Sequence, residues 1–263
     1  MFGFREWRRR RAIERAAIGD AVWRRTVARF AFVRQLADTD LARLRDLAAL
    51  FLDAKTFSGA EGLELTDEMM LAIAVQACVL ILNLDPRSYD GWSDIIVYPV
   101  EFLPEHTWVD ESGVVHHDAT PKMGEAWLRG PVVLSWADVA RGGSDDGVNV
   151  VIHEFAHKLD MLNGDVNGFP PLHKGMSRET WSQVFSWAYQ DFCRRVRRRE
   201  STAIDPYAAE SPGEFFAVLS EVFFESPAIL VAQYPAVHDQ LVRFYRQDPH
   251  ARQSIVREIV ALV

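Results

Sequence analysis

Apolar residues in the first part of the chain recur at the spacing of helices. Between residues 12 and 52 they stand three or four positions apart, which predicts two core-facing helices. Thr39 and Asp40 lie between the two apolar stretches and are the predicted cap residues. The turn-rich stretch FSGAEGLEL then separates this helical part from the next apolar run.

The most apolar run of the chain is MMLAIAVQACVLILNL. Thr66 and Asp67 precede it and can cap a helix over residues 68–82. The run is shorter than the roughly 20 residues of a membrane span, and Gln76 interrupts it. A buried helix is therefore predicted, and no membrane span.

Between residues 94 and 136 the pattern changes to short β-type runs. DIIVYPVEFL and GPVVLSW predict single strands, and HTWVDESGVVHHD predicts a hairpin with Ser112 and Gly113 in its turn. The GPVVLSW strand fits two roles, an ordinary core strand or a strand to which an extended peptide is added. These runs predict a small sheet.

Helical patterns return after the loop GGSDDG at residues 142–147. NVVIHEFAHKLD is predicted to be helical, further helices are expected at about 177–199 and 212–226, and two more close the chain. This order of elements predicts an α+β fold, in which a small sheet packs on the helix with the HEFAH sequence and additional helices stand at both ends.

Composition is typical of a globular protein that folds without disulfide bonds. With 263 residues and 49% hydrophobic side chains, the chain can bury a large core. Cys78 and Cys193 lie in apolar helical contexts and are expected to be buried thiols, as in a reducing compartment. The first thirty residues lack the uninterrupted apolar stretch of about 7–15 residues that a secretory signal requires. We therefore expect a cytoplasmic protein.

Charge is distributed unevenly along the chain. Residues 1–34 contain ten arginines and three acidic residues and carry +7, whereas the remainder carries −15 of the total of −8. We expect a basic N-terminal arm and the start of the first helix over 1–34, and the main domain over 35–263. Because no recognition motif or aromatic platform accompanies the arginines, no specific binding of nucleic acid is predicted.

The HEFAH sequence at residues 153–157 is the strongest chemical signal in the chain. On a helix, His153 and His157 lie on one face and can present their imidazoles to one point, which suits a tetrahedral zinc ion. Glu154 lies one position further round, where it can accept a proton from a metal-activated water. A chance match of these three residues is expected in about one per cent of such chains. The sequence therefore predicts a zinc site with one ion per chain.

A third ligand is needed, because a catalytic zinc site usually has three protein ligands. Asp160 is one candidate, but three ligands on one straight helix would strain to reach one ion. Asp160 fits better as a supporting or structural acceptor. The other source is the segment YAAESPGEFFAVLSEVFFESP. There Glu214, near the helix start, is the preferred ligand, and Glu221 is expected to orient a histidine or to cap a neighbouring helix.

Several separated motifs resemble the Mlc titration factor A family of bacterial zinc metallopeptidases. They are VIHEFAHKLD with the following NGD, IDPYAAESPGEFFAVLSEVFF, the upstream GPVVLSW and a C-terminal FYRQDP. The motifs occur in order over nearly the whole chain, and the match is weakest in the first thirty residues. The resemblance implies a zincin-like, gluzincin-type metallopeptidase fold, with a core related to the catalytic domain of anthrax lethal factor.

The same resemblance implies a role for each matched residue. His153, His157 and Glu214 correspond to the zinc ligands, Glu154 to the general base and Tyr207 to the active-site tyrosine. It also implies a cytoplasmic peptidase with aminopeptidase-like cleavage of small peptide substrates. A transcriptional repressor of sugar uptake, Mlc, is the partner that the resemblance implies.

A competing interpretation is a non-catalytic protein that sequesters a regulator and holds a structural zinc ion. A structural zinc site usually has four protein ligands and does not need a glutamate beside its first histidine. The presence of Glu154 therefore favours an enzyme. The prediction is a zinc-dependent peptidase that hydrolyses peptide bonds through a metal-activated water.

Overall fold

The computed structural model describes residues 11–14, 16, 18–101, 106–109, 115–118, 124–127, 130–144 and 146–254. The helices described over their full length are α1 Asp20–Arg29, α2 Ala31–Arg34, α3 Asp38–Ala54, α4 Asp67–Leu80, α5 Trp136–Arg141, α6 Val150–Asp160, α7 Arg178–Arg197, α8 Pro212–Glu225, α9 Pro227–Gln233 and α10 Pro235–Tyr245. Short 3₁₀ helices span Pro86–Tyr89, Met161–Asn163 and Pro206–Ala209. The strands are β1 Thr56–Gly59, β2 Asp94–Tyr98, β3 His106–Val109, β4 Val115–Asp118, β5 Gly124–Ala126 and β6 Val132–Ser135. The predicted α+β class and the small sheet are confirmed.

The main sheet has four strands in the order β1-β2-β6-β5. β1, β2 and β6 run parallel, and β5 pairs antiparallel to β6 with Gly124 opposite Leu134. Alternate residues of β2 and β6 are fully buried, so one face of the sheet packs on helices. β6, the GPVVLSW strand, has a partner on each side, and among the described residues β5 is an edge strand. Within the described part of the chain, β5 is therefore the edge strand that lies against α6, and β6 is not at an edge.

The predicted hairpin is present as β3 and β4, which pair antiparallel with His106 opposite Asp118. Its predicted turn residues, Ser112 and Gly113, lie outside the described residues. Two strands of the main sheet were not predicted. β1 overlaps the turn-rich stretch FSGAEGLEL, and β5 has only three residues.

α4 is the centre of the core. All its residues from Leu71 to Leu80 are buried, as predicted for the most apolar run, and the helix packs against α3 and α6. Thr66 caps it as predicted, since its hydroxyl accepts a hydrogen bond from the Met69 backbone N–H at 3.2 Å. Within the described ranges, no single helix is both long and apolar enough to cross a bilayer. α8 and α9 together reach the required length and hydropathy, but the chain bends by 119° between them.

The cap predicted at Thr39 and Asp40 is wrong. α3 begins at Asp38, its N-cap residue is Ala37, and no side chain accepts a hydrogen bond there. Asp40 lies instead in the first turn, where a negative charge interacts favourably with the positive end of the helix dipole. An acidic residue near a helix start can thus indicate the first turn as well as the cap.

The N-terminal helices contribute to the same core. Trp23, Phe30, Phe32 and Val33 are buried in the main hydrophobic cluster. The ring of Phe32 lies 6.5 Å from that of Phe224 on α8, centroid to centroid. α8 is therefore packed between the N-terminal helices and α6.

Candidate metal centre

A buried polar network fixes the start of α6. Asn149 caps the helix, and its side-chain oxygen accepts from the Ile152 N–H at 3.0 Å. Its amide nitrogen donates to Gln76 of α4 at 2.8 Å and to Glu225 of α8 at 2.7 Å. Since buried polar groups without partners are costly, these bonds set where α6 begins between α4 and α8.

Three side chains converge where α6 faces α8. His153 and His157, one turn apart on α6, bring their Nε2 atoms within 3.1 Å of each other. Oε2 of Glu214, in the first turn of α8, lies 2.9 Å from Nε2 of His153 and 3.2 Å from Nε2 of His157. Among the described residues, this is the one group of three or more His, Cys, Asp or Glu side chains close enough to hold a metal ion.

Glu221, two turns further along α8, supports this group. Its Oε1 accepts from Nδ1 of His153 at 2.7 Å, and its Oε2 accepts from the backbone N–H of Asn149 at 2.5 Å. The two roles were alternatives in the prediction for Glu221, and the structure shows both a contact with a histidine and one with the start of a neighbouring helix. One carboxylate thus sets both the ring orientation of His153 and the position of α6.

The electrostatics of the group are dominated by its own contacts. Burial acts to lower the pKa of His153, but the charge of Glu221 and the hydrogen bonds with Glu214 and Glu221 outweigh it and raise that pKa well above its usual range. For Glu214, burial acts to raise the pKa, and the bonds with His153 and His157 lower it strongly. Glu214 is therefore ionised and acts as an acceptor.

These three side chains fit a bound divalent cation. Because Nδ1 of His153 donates to Glu221, a neutral His153 directs its Nε2 lone pair at the Glu214 carboxylate, 2.9 Å away. Two acceptors at this distance repel each other unless a proton or a cation lies between them. Ligand atoms around a tetrahedral zinc ion, each at 2.0–2.1 Å, stand about 3.3 Å apart, close to the spacing of this triangle. His, His and carboxylate form a common catalytic zinc set.

Glu154 lies beside the triangle and is not part of it. It is only 4% exposed, and burial raises the pKa of its carboxyl group to about 7. A Cβ atom added at Gly124 of β5 would stand 2.6 Å from Oε1 of Glu154, so the strand passes close to this carboxylate. The carboxylate is therefore enclosed between α6 and the edge strand.

Tyr207 lies at the rim of the same site. It belongs to the 3₁₀ helix before α8, where Asp205 accepts from its backbone N–H at 2.9 Å. Its ring centroid is 6.1 Å from that of His153, and the side chain is 50% exposed. All five residues singled out from the sequence, His153, Glu154, His157, Tyr207 and Glu214, thus lie in one place.

Asp160 has a different position. It is fully buried and accepts from the backbone N–H groups of Gly168 at 2.7 Å and Phe169 at 2.8 Å. Gly168 in turn packs against the carbonyl of Pro212, where a Cβ atom would be 2.4 Å from the oxygen. Of the roles considered for Asp160, a metal ligand or a supporting or structural acceptor, its contacts fit the structural acceptor. These hydrogen bonds shape the loop that lies against the first turn of α8.

Replacing Asp160 by alanine is expected to destabilise the fold by about 1–3 kcal/mol, because the Gly168 N–H loses its acceptor and the Phe169 N–H keeps only the side-chain oxygen of Asn167. Unfolding in urea measures the change. The control is Asp165→Ala in the same loop, since Asp165 is exposed and accepts from the neighbouring N–H of Val166, at 2.8 Å. A loss for Asp160→Ala no larger than for this control would contradict the assigned role.

Three residues near the site were not predicted from the sequence. Gln76 interrupts an apolar run, and a polar residue at such a position can signal a buried network. Lys158 follows Glu154 by four positions, the spacing that places two side chains on one helix face. No sequence pattern marks Gly124, because a glycine is needed there only where β5 approaches α6 closely.

The chain is similar to a family of metallopeptidases and to named bacterial proteins. The family model of the glucose-regulated metallo-peptidase M90 matches residues 4–246. A protein of Klebsiella pneumoniae subsp. pneumoniae, named Mlc titration factor A, is 36% identical over 220 residues, which cover 83% of each chain. A protein of the same name from Yersinia pestis is 37% identical over 220 residues, which cover 82% of this chain and 81% of that protein. The resemblance stated from the motifs is confirmed.

Proposed function

The chain belongs to the glucose-regulated metallo-peptidase M90 family, and we propose that it is a zinc-dependent peptidase whose ion is held by His153, His157 and Glu214. The observation that carries this proposal is the triangle of their ligand atoms, 2.9–3.2 Å apart, with a buried carboxylate beside it. A purely structural zinc site would need a fourth protein ligand. No fourth candidate joins the group among the described residues.

A zinc ion in this position would polarise the scissile carbonyl and lower the pKa of a water molecule in the site. Glu154 would accept a proton from the attacking water and then deliver it to the nitrogen of the leaving amine. Enclosure between α6 and β5 suits this role, because it keeps the carboxylate out of bulk water. Glu221 would hold the ring of His153 with the Nε2 lone pair directed at the ion.

The peptide substrate would lie along β5. The sequence left open whether GPVVLSW binds a peptide, but both edges of β6 are paired within the sheet. β5 pairs with β6 on one side, and in the described part of the chain its other edge has no strand partner. An extended peptide added there would form main-chain hydrogen bonds and pass next to Glu154.

Tyr207→Phe is expected to lower kcat by about 10²–10³-fold if the hydroxyl donates a hydrogen bond to the oxyanion of the transition state. KM should change little, since the interaction forms mainly in the transition state. Zinc content and melting temperature should match those of the parent protein. Steady-state kinetics with one peptide substrate measure the effect, and an unchanged kcat would remove Tyr207 from the mechanism.

The proposed activity is tested with two substrate classes. Aminoacyl anilides report cleavage after a free N-terminal residue, and internally quenched peptides report cleavage within a chain. Aminopeptidase-like specificity, which the family resemblance suggests, predicts turnover of the first class and slow turnover of blocked peptides. If zinc-loaded protein cleaves neither class, the peptidase proposal fails and a non-catalytic role is favoured.

A second candidate function is binding of a transcriptional repressor in the bacterial cytoplasm. It is favoured by the name of the relatives, Mlc titration factor A. If docking and catalysis use different surfaces, an Mlc-like repressor should be retained equally by the parent and by Glu154→Gln in a pull-down. Loss of binding by this variant, with the fold intact, would place the partner in the active site.

A further inference from the structure

Two lysines contact the ring of Trp92, which packs against Phe155 of α6. Nζ of Lys55 lies 3.5 Å from the ring centroid, and Nζ of Lys158 lies 4.5 Å from it. Each ammonium also donates to two backbone carbonyls. Lys55 binds the carbonyls of Tyr89 and Trp92, in the segment that precedes β2. The two lysines thus share one aromatic ring and differ in the part of the backbone they hold.

Lys158 holds the turn between β5 and β6. Its Nζ donates to the carbonyl of Trp127, the residue after β5, and to that of Gly130 at 3.0 Å. The turn is closed by a hydrogen bond from the Trp127 N–H to the Pro131 carbonyl at 3.3 Å. The lysine side chain is only 3% exposed, which is unusual for a residue whose charge normally lies in water. Both carbonyls belong to the connection that sets the position of β5.

The same face of α6 carries the proposed base. Glu154 and Lys158 are four residues apart and therefore lie one above the other on the helix. Glu154 stands against Gly124 at the start of β5, and Lys158 is bonded to Trp127 directly after its end. α6 thus contacts the strand at both ends, once by close packing and once by an ammonium bonded to carbonyls.

We propose that Lys158 is a positioning residue that fixes the edge strand β5 against Glu154 and so sets where an extended peptide lies in the site. This inference rests on the proposed peptidase function, because it concerns the alignment of its substrate. The contacts of the Lys158 ammonium are with the ring of Trp92 and with the carbonyls of Trp127 and Gly130. It acts through the backbone of β5, whose edge away from β6 would hold the peptide.

The test compares Lys158→Met with Lys55→Met. Methionine keeps much of the side-chain length and removes the ammonium in both variants, and both lose the contact of a cation with Trp92. Only Lys158→Met removes the hydrogen bonds that hold the turn after β5. An internally quenched octapeptide should show a KM about tenfold higher with Lys158→Met, and kcat should stay within about twofold. An aminoacyl anilide, which is too short to follow the strand, should be affected far less.

Hydrogen exchange gives a readout that does not depend on activity. Amides between residues 124 and 134 should exchange about tenfold faster in Lys158→Met than in the parent, and at the parental rate in Lys55→Met. Lys158→Arg, which can still donate to both carbonyls, should restore most of the protection. Both methionine variants should retain about one zinc per chain. If Lys158→Met does not fold, Lys158→Gln takes its place in the same comparison.

Equal changes in the two methionine variants, or equal KM changes for the long and short substrates, would overturn the proposal. So would unchanged exchange across residues 124–134. If the parent protein cleaves neither substrate, the proposed function fails, and the exchange comparison still decides whether Lys158 fixes β5.

Discussion

Glu154→Gln is expected to reduce peptide hydrolysis by about 10²–10⁴-fold, the usual contribution of a general acid–base residue. Glutamine has nearly the same shape but cannot take up the proton of the attacking water. Because Glu154 lies outside the triangle of ligand atoms, zinc content should equal that of the parent protein. Measurement of kcat at matched zinc loading separates loss of the base from loss of metal.

The matched control is Glu179→Gln, which makes the same change at an exposed position at the start of α7. Its activity should remain at the parental level. If Glu154→Gln also turned over peptide at that level, Glu154 would not be the base.

Glu154→Gln is also expected to change how the stability of the metal-free protein depends on pH. Burial raises the pKa of Glu154 to about 7 in the folded state, from about 4.3–4.5 in an unfolded chain. The folded state therefore binds more protons than the unfolded state between these values, and this residue lowers stability as the pH rises through that window. Glu154→Gln should remove this pH dependence and be at least as stable as the parent at pH 8. Chemical unfolding of both proteins at pH 5 and pH 8 measures it.

Glu214→Ala is expected to have the largest effect on metal binding. Its carboxylate is in contact with Nε2 of both histidines, and without it two ligands remain. Glu221→Ala removes a carboxylate that reaches the three ligands only through Nδ1 of His153 and also accepts from the Asn149 N–H. Such supporting residues usually change affinity by about 10–100-fold. Zinc affinity should therefore fall by well over 100-fold in Glu214→Ala and by less in Glu221→Ala. Competition with a chromophoric chelator measures both.

The stabilisation of each variant by added zinc should follow the same order as its zinc affinity. Bound metal stabilises the folded state by mass action, so added zinc should raise the melting temperature of the parent and hardly that of Glu214→Ala. Asp160→Asn is the comparison for the alternative ligand considered from the sequence. If Asp160→Asn lost its zinc entirely and Glu214→Ala kept it, the third ligand would be Asp160, in conflict with the position of its carboxylate on the N–H groups of Gly168 and Phe169.

Most helices could be predicted from the sequence because their apolar periodicity is long and regular. α4, α6, α7 and α8 are examples, each of eleven residues or more. The strands β1 and β5 could not be predicted in this way. β1 contains one large apolar residue, and the three residues of β5 show no alternation of apolar and polar side chains. Both are fixed by their ladders with β2 and β6 rather than by their own sequence.

In the candidate site, too, some contacts follow from a local sequence pattern and others depend on the packing of distant segments. The spacing of His153 and His157 is local, so their convergence follows from the geometry of one helix. Glu214 and Glu221 are seven residues apart on one helix face, and only the packing of α8 on α6 shows that the first reaches Nε2 and the second Nδ1 of His153. The role of Lys158 depends on carbonyls that lie about thirty residues earlier in the chain. No local pattern reports such contacts.

Zinc titration of metal-free protein during peptide hydrolysis tests the central claim most directly. If one ion at His153, His157 and Glu214 is required, activity should rise linearly with added zinc and reach its plateau at about one equivalent per chain. The same titration of Glu214→Ala should show little activity at one equivalent. Full hydrolysis by the metal-free parent protein, or equal titration curves for the parent and Glu214→Ala, would contradict a catalytic zinc ion at this site.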